Sequence, residues 1–166
     1  MSIIIEKPGL FSTFQDFGRQ GYEYEGVIPG GALDTLGHEI ANRLLANDKN
    51  EATLEMTHIM AKIRFTETTL IALTGHHFEA CTENMKIKPY KLYLVEKGEV
   101  LSFKETSTTS RVYLAIGGGF KLDSWLNSTS TDLNIGVGGF QGRTLQEGDE
   151  IEMKRDYTSR HRKLFE

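Results

Sequence analysis

Apolar residues in this chain fall in short runs, separated by glycines and polar clusters. Lys62-Ile63-Arg64-Phe65 alternates strictly, as a strand with one face on a core and one in water must, because successive side chains point to opposite faces. Comparable runs of β-branched and aromatic residues predict strands at 2–6, 53–59, 62–65, 69–74, 92–95, 99–103, 111–116 and 150–154. Residues 111–116 finish in an unbroken apolar run, which predicts a central strand covered on both faces. Lys97-Gly98 and Glu147-Gly148 mark turns. One segment has helical period instead. Leu36, Ile40 and Leu44 recur every four residues, and Ala41 and Leu45 widen the stripe, predicting a helix over 35–46 with that stripe on the core. Asp34 stands where its carboxylate can accept the free amides of the first turn, and Asn47-Asp48 ends the helix.

The composition agrees with a mainly β fold, α+β with one clear helix. There are 17 glycines against 3 prolines in 166 residues, and 39% of the chain is hydrophobic, enough for one domain with a real core. No apolar run approaches a membrane span and no signal sequence opens the chain, so the expected location is cytoplasmic. The single cysteine, Cys81, excludes an internal disulfide framework and reads as a small buried residue. The net charge of −4 is uneven: residues 154–166 carry +3, leaving −7 for the rest. An acidic body argues against nucleic acid as the partner, and the basic tail reads as a solvated segment. The Ser/Thr-rich stretches 106–110 and 127–131 read as loops.

Several motifs carry candidate chemistry. Gln15-Asp16-Phe17-Gly18-Arg19-Gln20-Gly21 sets an amide, a carboxylate and a guanidinium in a turn. Arg suits carboxylate or phosphate recognition, although these residues alone read more simply as an Asp–Arg pair bracing the loop. Pro29-Gly30-Gly31-Ala32-Leu33-Asp34 feeds the helix, but lacks the Lys-Ser/Thr of a P-loop, and Asp34 at the cap would repel an anion. His76 and His77 are adjacent, with His58 and Glu55 elsewhere, and no ligand spacing supports a metal site. Gly117-Gly118-Gly119 and the glycine-rich stretch 136–143 supply backbone that can either approach a ligand or turn between crowded strands.

The order of these motifs is more specific than any one of them. Residues 8–21, 30–34, 41–47, 54–57, 72–75, 111–119 and 142–149, in that order, resemble the allophanate hydrolase subunit 2 family. It is also called the biotin-dependent carboxyltransferase family and includes the C component of bacterial 5-oxoprolinases. The resemblance covers about residues 7–153. Gly30-Gly31-Ala32-Leu33-Asp34 departs from the family's usual Ser-Gly-Ala-Met-Asp, and residues 76–85 are idiosyncratic. Family members are about twice as long, with a second, cyclophilin-like half. The resemblance therefore implies a β-barrel-like half of a carboxyltransferase-type, two-domain protein, with residues 1–153 as the N-terminal domain and 154–166 as a basic connector to a missing C-terminal half.

It also implies function. Relatives act with a subunit 1-type partner, the B-like component of a 5-oxoprolinase, and with an A-like third component, opening the lactam 5-oxoproline to glutamate with ATP hydrolysis. The chain is then expected to be one component of such a complex, inactive alone, with ATP brought by the partners. The resemblance gives Asp16 and Arg19 catalytic roles, has Gln15, Arg143, Gly118 and Gly119 meet a small lactam or amide substrate, and leaves Asp34, Asn42 and Glu55 as structural or interface groups. Two alternatives remain: a regulatory binding module resembling the antagonist of a sporulation kinase inhibitor, and the carboxyltransferase half of a urea carboxylase, which alone would require biotin. An apolar face left by the absent half would favour self-association.

Overall fold

The computed structural model describes residues 1–104 and 111–154; the predicted loop at 106–110 and the basic connector after Lys154 lie outside them. The strands are β1 (Ser2–Lys7), β2 (Phe11–Gln15), β3 (Thr53–Thr57), β4 (Lys62–Phe65), β5 (Thr69–Gly75), β6 (Glu79–Cys81), β7 (Lys86–Ile87), β8 (Lys91–Val95), β9 (Val100–Lys104), β10 (Arg111–Ile116) and β11 (Glu150–Glu152). One helix, α1 (Thr35–Leu44), and a 3-10 turn at Glu23–Glu25 complete the elements.

The strands pair antiparallel into two sheets, in the orders β11-β1-β4-β9-β6-β7 and β2-β3-β10-β5-β8. The main core lies between them. Ile3, Ile5, Ile63, Phe65 and Leu101 of the first sheet share one apolar cluster with Phe14, Leu54, Met56, Leu73, Val112 and Leu114 of the second. Each such side chain, fully buried, stabilises by roughly 1.5–3 kcal/mol. Helix α1 covers the outer face of the second sheet, where Ala41 and Leu45 meet Leu70, Ala72 and Ala115. Strand β10 therefore has cover on both faces: Val112, Leu114 and Ile116 belong to the core between the sheets, and Ala115 packs under the helix. Its unbroken apolar run follows from that position.

Four expectations need correction. The helix is rotated part-way about its axis relative to the leucine stripe: Ala41, Leu44 and Leu45 meet the core as expected, but Leu36 does not. Its buried residues are Gly37, His38, Ala41 and Asn42, while Leu36 is 66% exposed. Polar contacts override the apolar period: Asn42 Nδ2 donates to the Glu51 carbonyl at 2.6 Å, and His38 Nδ1 lies 2.8 Å from Thr53 Oγ1. Gly37 permits this rotation, since a Cβ there would stand 2.6 Å from Asp34 Oδ2. The strand predicted at 53–59 stops at Thr57, because His58 takes a left-handed backbone (φ 66°). Strand β2, which buries Ser12, Thr13 and Gln15 as well as Phe14, has no alternating pattern to announce it, and the short β6 and β7 are equally unmarked. Finally, Cys81 is exposed rather than buried, because β6 turns Ala80 to the core and its neighbours outward.

The helix rotation is testable by urea denaturation. Leu36→Gln should leave stability within about 0.5 kcal/mol of wild type. Asn42→Ala should cost about 1–3 kcal/mol, because it orphans the buried Glu51 carbonyl. The leucine-stripe orientation predicts the reverse ranking.

Candidate functional site

Strand β2 ends at Gln15, and the chain turns through Asp16, Phe17 and Gly18 to Arg19. Gly18 makes that turn possible: it has φ 83°, and a Cβ on it would lie 2.5 Å from the Pro29 carbonyl, which accepts the Arg19 amide at 2.7 Å. The loop at 128–131 folds onto the same strand end, with the Thr131 amide donating to the Phe14 carbonyl at 2.9 Å.

Asp16 is 2% exposed and fastens that loop. Its Oδ1 accepts from the Ser128 hydroxyl (2.7 Å), the Ser130 hydroxyl (2.6 Å) and the Gly18 amide (2.7 Å). Its Oδ2 accepts from the Thr129 amide (2.7 Å) and hydroxyl (3.1 Å). Burial works to raise this carboxyl, but the bonds from Ser130, Ser128 and the Thr129 and Gly18 amides outweigh it and hold Asp16 below the ordinary carboxylate range.

Arg19 is fully buried. Its Nη2 donates to the Ser130 carbonyl and its guanidinium lies 5.3 Å from the centre of the Trp125 ring. Nε and Nη1 are buried without a hydrogen-bond partner. Asp16 and Arg19 thus make no direct ion pair among the described residues; both act on Ser130, one through its hydroxyl and one through its carbonyl. Gly138 passes so close that a Cβ there would stand 2.7 Å from Nη2. A desolvated cation with two idle donors is costly unless an oxygen ligand completes it.

The remaining residues sit elsewhere. Gln15 adjoins the loop, its Nε2 donating to Thr13 Oγ1 (3.0 Å) and the Thr131 carbonyl (3.4 Å). Asp34 caps α1, accepting from the Gly37 amide at 2.9 Å. Glu55, 5% exposed, accepts from Arg111 (2.6 Å), the Tyr113 hydroxyl (2.7 Å) and the Leu33 amide (3.0 Å). Burial, reinforced by Glu55, raises the Tyr113 phenol far above its usual range, and burial lowers the neighbouring His38 imidazole. Asn42 joins Asn47, whose side chain bridges to the Ile116 carbonyl (2.8 Å) and the Gly118 amide (2.9 Å). Gly119 packs on Glu51, where a Cβ would fall 2.3 Å from the carboxyl carbon. Arg143 forks onto Asp149 through two 2.8 Å bonds, which closes the turn before β11. The structure therefore brings together Gln15, Asp16 and Arg19 and separates them from Arg143, Gly118 and Gly119. Sequence reading overlooked Ser128, Ser130 and Trp125; the run of hydroxyls at 127–131 was their one visible mark, and it read as a loop.

The carboxyltransferase domain, subdomain A and B, matches residues 25–165. The chain belongs to this carboxyltransferase family. It is 36% identical over 155 residues to the 5-oxoprolinase C subunit of Escherichia coli (strain K12), covering 92% of this chain and 50% of that protein. It is 37% identical over 149 residues to the urea amidolyase of Lachancea kluyveri, covering 89% of this chain and 8% of that protein. The crystal structure of the K. lactis urea amidolyase superposes with a TM-score of 0.87 at 31% identity, covering 93% of this chain and 9% of that one. The chain spans about half the length of the 5-oxoprolinase C subunits it matches.

The glycine-rich helix entry does not fit a nucleotide phosphate. The Ala32 amide donates to the Asp16 carbonyl (2.8 Å), that of Leu33 to Glu55 (3.0 Å), that of Asp34 to the Tyr113 hydroxyl (2.7 Å) and that of Gly37 to Asp34 (2.9 Å). These donors are spent and a carboxylate guards the helix start. Among the described residues no group of three or more His, Cys, Asp or Glu side chains is poised to hold a metal, and no helix is long and apolar enough to cross a membrane.

A group whose folded pKa is depressed adds stability above its unfolded value, near 3.8 for Asp16, and loses it as pH falls through the lower folded value. The urea midpoint of the wild type should therefore drop between neutral pH and about pH 2.5. Asp16→Asn should start lower at neutral pH and show a shallower drop, since Asp149, also depressed by its bond to Arg143, still titrates. Equal slopes for the two proteins would show that Asp16 is not held in its charged form.

Proposed function

We propose that this chain is one component of an ATP-dependent 5-oxoprolinase-type complex, opening 5-oxoproline to glutamate, and that it is inactive alone. The observation that carries the reading is the buried Arg19 guanidinium with Nε and Nη1 unpartnered. A substrate carboxylate, or the oxyanion that develops when an inert amide is activated, supplies the missing acceptor in a water-poor site. Asp16 is a positioning residue: its lone pairs are occupied by five donors, so it holds the 128–130 loop, and through Ser130 the arginine, rather than taking a proton. Gln15 lines the same strand end, while Arg143, Gly118 and Gly119 have structural tasks and no part in substrate binding under this reading.

The names of the relatives support a heteromeric assembly, since two of them are the C components of 5-oxoprolinases. The partners would be a B-like and an A-like protein of the same system. They would bring the nucleotide, which this chain's helix entry does not fit. A cytoplasmic location, and a basic 154–166 segment leading to a second half, belong to the same reading. A second reading, the carboxyltransferase part of a urea carboxylase with biotin carried by another domain, draws on the close superposition on the K. lactis urea amidolyase.

The test is reconstitution. The chain, alone and extended through a second half, is mixed with candidate B-like and A-like proteins, and ATP-dependent glutamate release from 5-oxoproline is measured, with urea as the competing substrate. Turnover of 5-oxoproline is the expected result. Turnover of urea alone, with a biotin carrier, would install the second reading, and silence in every mixture would favour the regulatory module. Within an active mixture Arg19→Met should lower the rate about 100-fold or more. The same variant should match or exceed the wild-type urea midpoint, because it removes two unsatisfied buried donors. A purely structural arginine would instead lose about 3 kcal/mol or more of stability on that change.

A further inference from the structure

A concave site lies at the opposite end of β2 from Asp16, about 17 Å away along the strand. The turn between β1 and β2 and the turn between β3 and β4 meet there around a cavity of about 710 Å³, a size suited to a small organic molecule. The two turns are locked together. The Leu10 amide donates to the Ile59 carbonyl at 2.8 Å, and Gly9 (φ 73°) approaches so closely that a Cβ would stand 2.2 Å from that oxygen. His58 and His77, which both line the cavity, hold left-handed backbone at φ 66° and 55°, conformations that persist only where surrounding structure enforces them.

The walls are of two kinds. Met60, Phe78 and Phe103 back the cavity from the main core, and Leu10 and Ile59 stand at its rim, 63% and 52% exposed. Around them are Lys7, Lys62 and Lys104, with Glu147 as the one acidic lining residue among the described residues. Lys7 and Lys62 are direct partners across β1 and β4, next to a bulge in the pairing. Like charges set opposite each other destabilise a sheet, and a bulge re-aims a side chain. Lys62 is relieved in part by Glu6 at 3.1 Å, and Lys104 lies 3.6 Å from Glu79, whereas Lys7 makes no ion pair among the described residues. This concentration of cations stands out on a body whose residues 1–153 carry −7.

We propose that this cavity binds a small anion with an apolar body: a carboxylate or phosphate monoester whose charged head meets Lys7 and Lys62 and whose hydrocarbon or aromatic part lies on Met60, Phe78 and Phe103. An anion there removes the repulsion between the facing lysines and covers apolar surface that the lysine stems leave open. The site is independent of the role proposed for Arg19.

The probes are 2-naphthoate and 2-naphthyl phosphate, with 2-naphthylmethylamine as the cation of matched shape, titrated calorimetrically into the chain. Saturable one-to-one binding of either anion, with Kd below about 1 mM, is expected, and the tighter of the two names the head group. Lys7→Gln and Lys104→Gln should each weaken it several-fold. Lys7→Gln combined with Lys62→Gln should weaken it about tenfold or more, and Met60→Glu should abolish it. Arg19→Met should leave it unchanged. Far-ultraviolet circular dichroism checks that each variant is folded, and the single exposed-lysine variants keep the test intact if Met60→Glu is not. Equal binding of the amine, binding insensitive to every lysine change, loss on Arg19→Met, or no saturation by about 10 mM would each overturn the proposal.

Discussion

The arrangement of this domain depends on one buried carboxylate. Asp16 accepts five hydrogen bonds, four of them from Ser128, Thr129 and Ser130, which are more than a hundred residues away in the chain. A carboxylate so deeply buried is tolerable only when its lone pairs are filled, so its desolvation cost becomes a requirement that the 128–131 loop lie on the end of β2. Ser130 then meets both demands at once, its hydroxyl turned to Asp16 and its carbonyl to Arg19. The guanidinium inherits its position from the carboxylate without touching it.

The same logic of buried polar groups sets the helix. Tyr113 and Glu55 sit beneath the 29–34 turn, and the two take up the Asp34 and Leu33 amides. His38 and Asn42 follow on the inner face of α1 because Thr53 and the Glu51 carbonyl need partners there. The result leaves Leu36 and Leu33 exposed at the mouth of the turn and a polar seam inside. The apolar contact of the helix, Ala41, Leu44 and Leu45 on Leu70, Ala72, Leu92, Leu94 and Ala115, lies beside that polar seam.

Strand β2 consequently joins two chemically different ends. One is dry and carries a buried cation held by a backbone carbonyl; the other is an open cavity with lysines at the ends of β1, β4 and β9. Rigid strands hold both, and loop chemistry differentiates them.

How much of this was legible beforehand follows from what each residue depends on. The strands at 62–65, 69–74 and 111–116, the single helix and its Asp34 cap could be read from the chain, because period and capping are local properties that neighbours in sequence fix. Motif order placed the chain in its family. Strand β2 was hidden because it buries polar side chains, and the inner face of α1 was misread because leucine spacing reports burial only when apolar contact dominates. That Arg143 is consumed by Asp149 while Arg19 keeps idle donors could not be known from composition, since both are arginines preceded by a glycine. Local pattern alone was enough for the longer strands, the helix, the acidic body and the residues available for anion chemistry. Which arginine keeps idle donors was settled by the folded chain, because Arg143 meets Asp149 six residues on, whereas Arg19 is desolvated by Trp125 and Ser130, more than a hundred positions away.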